Sequence, residues 1–299
     1  MRVTLLHNPR AGVAHPSADE LCALMRGAGH AVAYHSTRRS DMDRALRDPG
    51  DLVAVAGGDG TVAKVAALLA GRGVPLAILP LGTANNVARA LGTAGEAEAL
   101  VAGWPHARRA RLDVGHARGA WGTARFVEAA GVGLMARLLA TAEAEGSKGE
   151  AGGREEEVAA GQRLLRNVLR NVPARPGRLV LDDTEVTGAF ILAVAMNIDA
   201  IGSRVVLAPG ADPTDGLLDV VWATEEHRGA IADYLDASLD GQPATLALPT
   251  RRSRSLRVET HDPAVHVDDD HRDGGRGDLV ATVDGVFVEV LLPEGVSRD

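Results

Sequence analysis

The run Leu52-Val53-Ala54-Val55-Ala56, followed at once by Gly57-Gly58-Asp59-Gly60-Thr61, constrains this chain more than any other segment. Five apolar residues in a row leave no polar face, which is the pattern of a strand covered on both sides inside a parallel sheet. Adjacent glycines reach positive φ and let the backbone approach a ligand closely. Their N–H groups and the amino end of the next helix make an anion-binding concavity that suits phosphate. Thr61 is expected to cap that helix. Asp59 cannot help hold a bare anion and is expected to face a metal or a reacting hydroxyl. One strand further on, Leu76–Leu79 runs into Pro80-Leu81-Gly82-Thr83-Ala84-Asn85-Asn86, with the same order of strand, glycine, threonine and helix. Neither loop is a P-loop or a GxGxxG turn. As a pair at the carboxyl edge of one sheet they predict a nucleotide cleft.

The surrounding pattern supports that reading. Strands are expected at Val3–Leu6, His30–His35, Leu52–Ala56 and Leu76–Leu79, with helices over Asp19–Gly27, Met42–Arg47, Val62–Leu69 and Ala84–Leu91. This alternation implies right-handed crossovers and a parallel sheet. Beyond about Leu112 short strands take over: Phe126–Ala129, Arg178–Leu181, Phe190–Ala195, Leu218–Trp222, Ser255–Glu259, Ala264–Val267, Leu279–Val283 and Val286–Leu292. Separated by Gly, Pro and Asp, they predict an antiparallel sandwich or barrel. Thr141–Glu157, rich in charge and glycine, reads as a mobile loop or a frayed helix start. Gly161–Val172 reads as an amphipathic helix, with Arg163, Arg166 and Arg170 on one side and Leu165, Val168, Leu169 and Val172 on another.

Composition excludes several classes. At 299 residues the chain exceeds what one compact core usually supports, so two domains are expected. One cysteine, Cys22, rules out an intrachain disulfide and any cysteine-based metal site, and fits a reducing compartment. A net charge of −8 with no long basic tract argues against nucleic acid as a partner. No apolar run approaches a membrane helix, and Met1–Pro9 is too short and polar-interrupted for a signal peptide. A cytoplasmic location is the resulting expectation.

Taken together, Asn8-Pro9-Arg10-Ala11-Gly12, Gly57–Thr61, Pro80-Leu81-Gly82-Thr83-Ala84-Asn85 and Asp215-Gly216-Leu217-Leu218-Asp219 resemble the diacylglycerol kinase catalytic-domain family, which includes bacterial soluble lipid kinases and sphingosine kinases. The resemblance spans nearly the whole chain. It implies a nucleotide-binding α/β domain over residues 1–112, with 286–299 possibly returning to it, and a β-sandwich lipid-substrate domain over 113–285. It also implies ATP-dependent phosphorylation of a lipid hydroxyl in the interdomain cleft. Asn8, Pro9, Arg10, Ala11, Gly12, Thr37, Gly57, Gly58, Asp59, Gly60, Thr61, Val62, Ala63, Gly82, Thr83 and Asn85 would then hold ATP. Asp212, Asp215 and the backbone oxygen of Leu217 would hold a structural Mg²⁺, for which hard oxygen ligands are suited.

The family's catalytic acid stands in a late Asp-Gly-Glu. Asp284-Gly285-Val286 keeps Asp-Gly but has Val in the acid's place, whereas Asp268-Asp269-Asp270 after the Ala264–Val267 strand keeps both acids. Asp270 is therefore expected to be the base, with Asp268 its partner near the metal and Asp59 helping to place catalytic Mg²⁺. Adjacent carboxylates raise one another's pKa and a metal lowers it, which tunes such a base. Val62-Ala63-Lys64 and Asn85-Asn86 depart from the family's usual residues after each loop. Two other readings follow: a small-molecule kinase resembling NAD kinase, and a nucleotide- or lipid-binding protein of this fold with impaired catalysis. A lipid substrate and transient contact of the basic helix face with an anionic bilayer are expected. The oligomeric state is open, a homodimer included.

Overall fold

The computed structural model describes residues 1–11, 16–146, 153–260, 264–275 and 277–294. The chain divides into two compact units, one of Met1–Val114 with the segment from Val286 onward, the other of Gly115–Gly285.

The first unit runs β1 (Arg2–His7), α1 (Ala18–Gly27), β2 (Ala31–Ser36), α2 (Arg39–Ala45), β3 (Leu52–Gly57), α3 (Asp59–Leu69), β4 (Leu76–Pro80), α4 (Asn86–Ala90), α5 (Ala97–Gly103) and β5 (Arg108–Asp113). Strands β2, β1, β3 and β4 lie side by side, all parallel. Every residue of β3 is buried, as its unbroken apolar run demands. Helix α1 starts at a capping box, in which the Ser17 side chain accepts from Glu20 N–H and the Glu20 carboxylate answers Ser17 N–H. Its apolar stripe of Leu21, Cys22 and Met25 packs with Val3, Leu5, Leu52 and Ala54.

The second unit contains β6 (Gly115–Gly119), β7 (Gly122–Phe126), β8 (Ala129–Gly133), α6 (Leu134–Glu145), α7 (Arg154–Asn171), β9 (Arg175–Leu181), β10 (Thr184–Met196), β11 (Ala200–Ile201), β12 (Val205–Val206), β13 (Leu218–Thr224), α8 (Arg228–Leu239), β14 (Thr250–Ser253), β15 (Ser255–Thr260), β16 (Ala264–Val267), β17 (Asp270–Asp273) and β18 (Leu279–Thr282). The final strand β19 (Phe287–Leu292) belongs to the first unit, between β4 and β5.

The second unit's main sheet is antiparallel, in the order β17-β16-β8-β10-β9-β15-β18-β6-β7, with β13 and β14 branching from β10. The long β10 makes this possible. Thr184–Phe190 pairs with β9, Leu192–Met196 pairs with both β8 and β13, and the register shifts at a bulge between Phe190 and Leu192. Past the bulge, Ala193 and Ala195 join Leu179, Val258 and Leu279 in one core. Val194 and Met196 face the other way, into a second core completed by Leu138, Leu165, Leu169, Ile231 and Leu235 from α6, α7 and α8.

Several sequence expectations shift. The strand expected over Phe126–Ala129 is interrupted: Phe126 ends β7, Ala129 begins β8, and Val127–Glu128 between them turn because the N–H groups of Val127, Glu128 and Ala129 are taken by a side chain described below. The short helix expected at Met42–Arg47 begins at Arg39. Of the segment read as a loop, Thr141–Glu145 ends α6 and Arg154–Glu157 begins α7, while 147–152 lie outside the described residues. The basic side of α7 is largely neutralised, since Arg166 grips Asp236 with two hydrogen bonds and Arg163 pairs with Glu156.

Candidate active site

The two glycine turns lie at the carboxyl ends of β3 and β4, which are hydrogen-bonded neighbours from Val53–Leu76 to Gly57–Pro80. They touch backbone to backbone. A Cβ built on Gly82 would lie 2.4 Å from the Gly58 Cα, and one on Gly58 would lie 3.0 Å from the Gly82 Cα. Leu81 N–H donates to the Gly57 carbonyl at 2.9 Å. Asn85 adopts the left-handed conformation with φ of 53°, which Asn tolerates better than most residues. From there its side chain accepts from Gly82 N–H at 2.9 Å and donates to the Gly82 carbonyl at 2.8 Å, closing the second loop on itself. Thr61 does not cap α3, whose N-cap is Gly58. Its hydroxyl instead accepts from Asn8 Nδ2 at 3.1 Å, tying the turn after β1 to the first glycine loop. Arg10 N–H donates to Asn8 Oδ1, and Thr37 N–H to the His7 carbonyl. Asn8, Pro9, Arg10, Ala11, Thr37, Gly57–Ala63, Gly82, Thr83 and Asn85 thus lie at or after the ends of four adjoining strands, β1, β2, β3 and β4, and Gly12 lies outside the described residues.

Asp59 points where the sequence does not suggest. It is buried, and its Oδ1 accepts from Val87 N–H at 3.0 Å, with the N–H groups of Asn85 and Asn86 acting on it as well. Burial pushes its carboxyl above the usual range against the pull of those donors. The side chain therefore clamps the first loop to the start of α4 through Oδ1.

Asp268 does the same work in the second unit. It occupies the tight turn between β16 and β17 with φ of 49°. Its carboxylate takes the N–H groups of Val127, Glu128 and Ala129 at 2.8–3.2 Å. These are the donors that a strand over Phe126–Ala129 would have needed for its ladder. The expectation that Asp268 stands near a metal is corrected by this burial. Asp270, two residues on, is exposed, and Arg272 Nη2 reaches its Oδ2 at 3.3 Å. Arg272 itself lies over Trp121, with Cζ 5.1 Å from the ring centroid.

Burial pushes Asp268 up to about 7, and pushes the neighbouring, fully buried His266 down to about 4. The two act oppositely on stability. Between about pH 4 and 7 the folded protein holds a proton on Asp268 that the unfolded chain has released, so that term weakens as pH rises. Between about pH 4 and 6.5 the unfolded chain protonates His266 and the folded protein does not, so that term strengthens as pH rises. Each proton is worth about 1.4 kcal/mol per pH unit, and the pair nearly cancels. Asp268→Asn is expected to expose the histidine slope, with Tm falling as pH drops from 6.5 to 4. His266→Gln is expected to show the reverse. Melting curves of both variants across this range decide the matter, and parallel profiles would contradict the assignment.

The hairpin carrying Asp270 borders a cavity of about 670 Å³. Leu164, Val168 and Val172 of α7 and its C-terminal end form an apolar wall, while Arg137, His271 and Asp273 supply polar groups. The helical spacing of Leu165, Val168, Leu169 and Val172 signals an apolar face, but nothing in the sequence marks β17 as its neighbour.

Of the residues expected to bind Mg²⁺, Asp212 Oδ1 accepts from both Thr214 N–H and hydroxyl, and Asp215 Oδ1 accepts from Leu217 N–H. Asp215 Oδ2 is bound by the Arg252 guanidinium. A divalent ion using Asp215 would have to displace that cation and then sit beside it. Asp215, its Oδ2 already held by the guanidinium, does not fit the ion in this arrangement.

An α/β unit with interlocked glycine turns and an antiparallel sandwich unit define a two-part kinase architecture. Residues 2–117 match the model of the diacylglycerol kinase catalytic domain, and 155–291 that of the YegS C-terminal NAD kinase beta sandwich-like domain. The chain is 30% identical over 285 residues to a diacylglycerol kinase of Mycobacterium tuberculosis, covering 90% of this chain and 88% of that one. It is 34% identical over 225 residues to a YegS-like lipid kinase of Pseudomonas aeruginosa, covering 72% and 70%. A solved diacylglycerol kinase structure from Bacillus anthracis str. Sterne shares the fold, with a TM-score of 0.69 at 18% identity over 99% of this chain and 98% of that one. The chain belongs to the diacylglycerol/lipid kinase family.

Proposed function

We propose that the protein transfers the γ-phosphoryl group of ATP, taken up as its Mg²⁺ complex, to a hydroxyl of a diacylglycerol-like lipid. The observation that carries this reading is the backbone contact between the Gly58 and Gly82 turns at the end of two parallel strands. Such a floor has no side chains to obstruct phosphates, and it presents N–H groups at the start of α3 to them. Asn8 and Thr61 brace one side of the floor, and Asp59 and Asn85 brace the other.

In this reading Asp270 accepts the proton of the lipid hydroxyl as its oxygen attacks phosphorus. Catalysis by phosphoryl transfer is mostly positioning and charge stabilisation, so one well-held carboxylate is a sufficient base. Asp268 positions it by anchoring the hairpin to the β7–β8 turn. The cavity beside that hairpin is the natural seat for an acyl chain, since its size is typical of small-ligand pockets and one wall is apolar.

The test is incubation with γ-labelled ATP, Mg²⁺ and a total lipid extract, with separation of the labelled products. Label in a lipid phosphate that comigrates with phosphorylated diacylglycerol supports the reading. Label only in NAD phosphate, when NAD is supplied, would replace it with the small-molecule alternative. ATP binding with no labelled product would replace it with a binding protein.

A further inference from the structure

The segment Pro209–Asp219 carries three acids, Asp212, Asp215 and Asp219, and no basic residue. Such a loop needs a cation from elsewhere, and the chain supplies one. Strand β14 pairs with β13 so that Arg252 stands directly opposite Asp219. From that position its guanidinium binds Asp215 Oδ2. Asp219 is half-buried. Burial pushes its carboxyl up, Arg252 pulls it down, and Asp215 pushes it up again, so one guanidinium answers two carboxylates.

We infer that Arg252 is the resident cation of this loop and closes it in place of a divalent metal. Arginine keeps its charge at every working pH, and its planar fork suits carboxylate pairs. An isolated exposed ion pair is worth little, but one guanidinium shared between Asp215 and the Asp219 that faces it on the paired strand forms a network whose loss is felt. The inference concerns the loop alone. It stands or falls independently of the lipid kinase reading, and of the Mg²⁺ that accompanies ATP.

The experiment uses the full chain without nucleotide. Thermal unfolding of the wild type is followed in EDTA and in millimolar MgCl₂, and Mn²⁺ binding is followed by electron paramagnetic resonance. The expected result is one Tm in both media and no stoichiometric Mn²⁺ site. Arg252→Ala and Asp215→Asn are each expected to lower Tm in EDTA, and the double variant to lower it no further than the worse single one. If Arg252→Ala does not fold, Arg252→Lys with the wild-type metal measurements serves instead. A wild-type Tm that rises with Mg²⁺, a tight Mn²⁺ site abolished by Asp215→Asn, or an Arg252→Ala variant as stable as wild type in EDTA would each overturn the inference.

Discussion

Asp270→Asn is expected to lower lipid phosphorylation by about 10²-fold or more, the usual range for loss of a positioned general base, while leaving the melting temperature nearly unchanged. The separation of these effects follows from where the residue sits. Asp270 is exposed, it pairs with the part-exposed Arg272, and such surface pairs contribute little to stability. The strand carrying it is held by β16 and by the buried Asp268, neither of which the substitution touches. ATP affinity is expected to stay at the wild-type level, because the glycine turns belong to the other unit. Asp270→Glu, one methylene longer, restores the acid and is expected to recover most of the turnover. Steady-state rates with labelled ATP and dispersed diacylglycerol, beside a melting curve, check all three statements. Wild-type turnover in the Asn variant would remove Asp270 from the mechanism.

What could be read beforehand depended on whether a residue's role is set locally. The α/β half was legible because β3 and β4 are apolar on both faces and each ends in glycine, so pattern and turn chemistry agree. The hairpin strand β17 was not, since Asp270-His271-Arg272-Asp273 has no apolar face and exists as a strand only through its pairing with β16. Phe126–Ala129 misled for the opposite reason. It is apolar enough for a continuous strand, yet a distant aspartate takes the N–H groups of Val127, Glu128 and Ala129 and breaks it into the end of β7 and the start of β8.

The candidate acids of each unit show the same division. Their positions were marked by motif, but not their directions. Asp59 and Asp268 carry the charge that metal chemistry wants, and both spend it on backbone donors from segments remote in sequence. Arg252, for its part, lies 37 residues from Asp215, and only the pairing of β13 with β14 brings them together. Contacts of this kind depend on register, which a single sequence does not disclose for a branched antiparallel sheet.

Gly82→Ala is expected to abolish measurable nucleotide binding without unfolding the protein. The added methyl would meet the Gly58 Cα at 2.4 Å, the Asn85 Oδ1 at 2.9 Å and the Gly58 N at 3.3 Å. Two of these are backbone atoms at the end of a fully buried strand, so the loops themselves must part. Parting them strains the Leu81-to-Gly57 and Gly82-to-Asn85 hydrogen bonds and moves the phosphate-facing N–H groups together. Overpacking of this sort costs about 1–3 kcal/mol, which a domain of this size survives. The displaced N–H donors lose hydrogen bonds to charged phosphate oxygens, each worth about 1.5–3 kcal/mol, which the binding signal does not survive. Gly103→Ala is the control: nothing lies within 4 Å of its Cβ, so it should bind nucleotide normally. Titration calorimetry with Mg·ATP on both variants, each checked by denaturant unfolding, makes the comparison. Equal affinities for the two would show that the contact between the glycine turns is mere packing and that phosphates are held elsewhere.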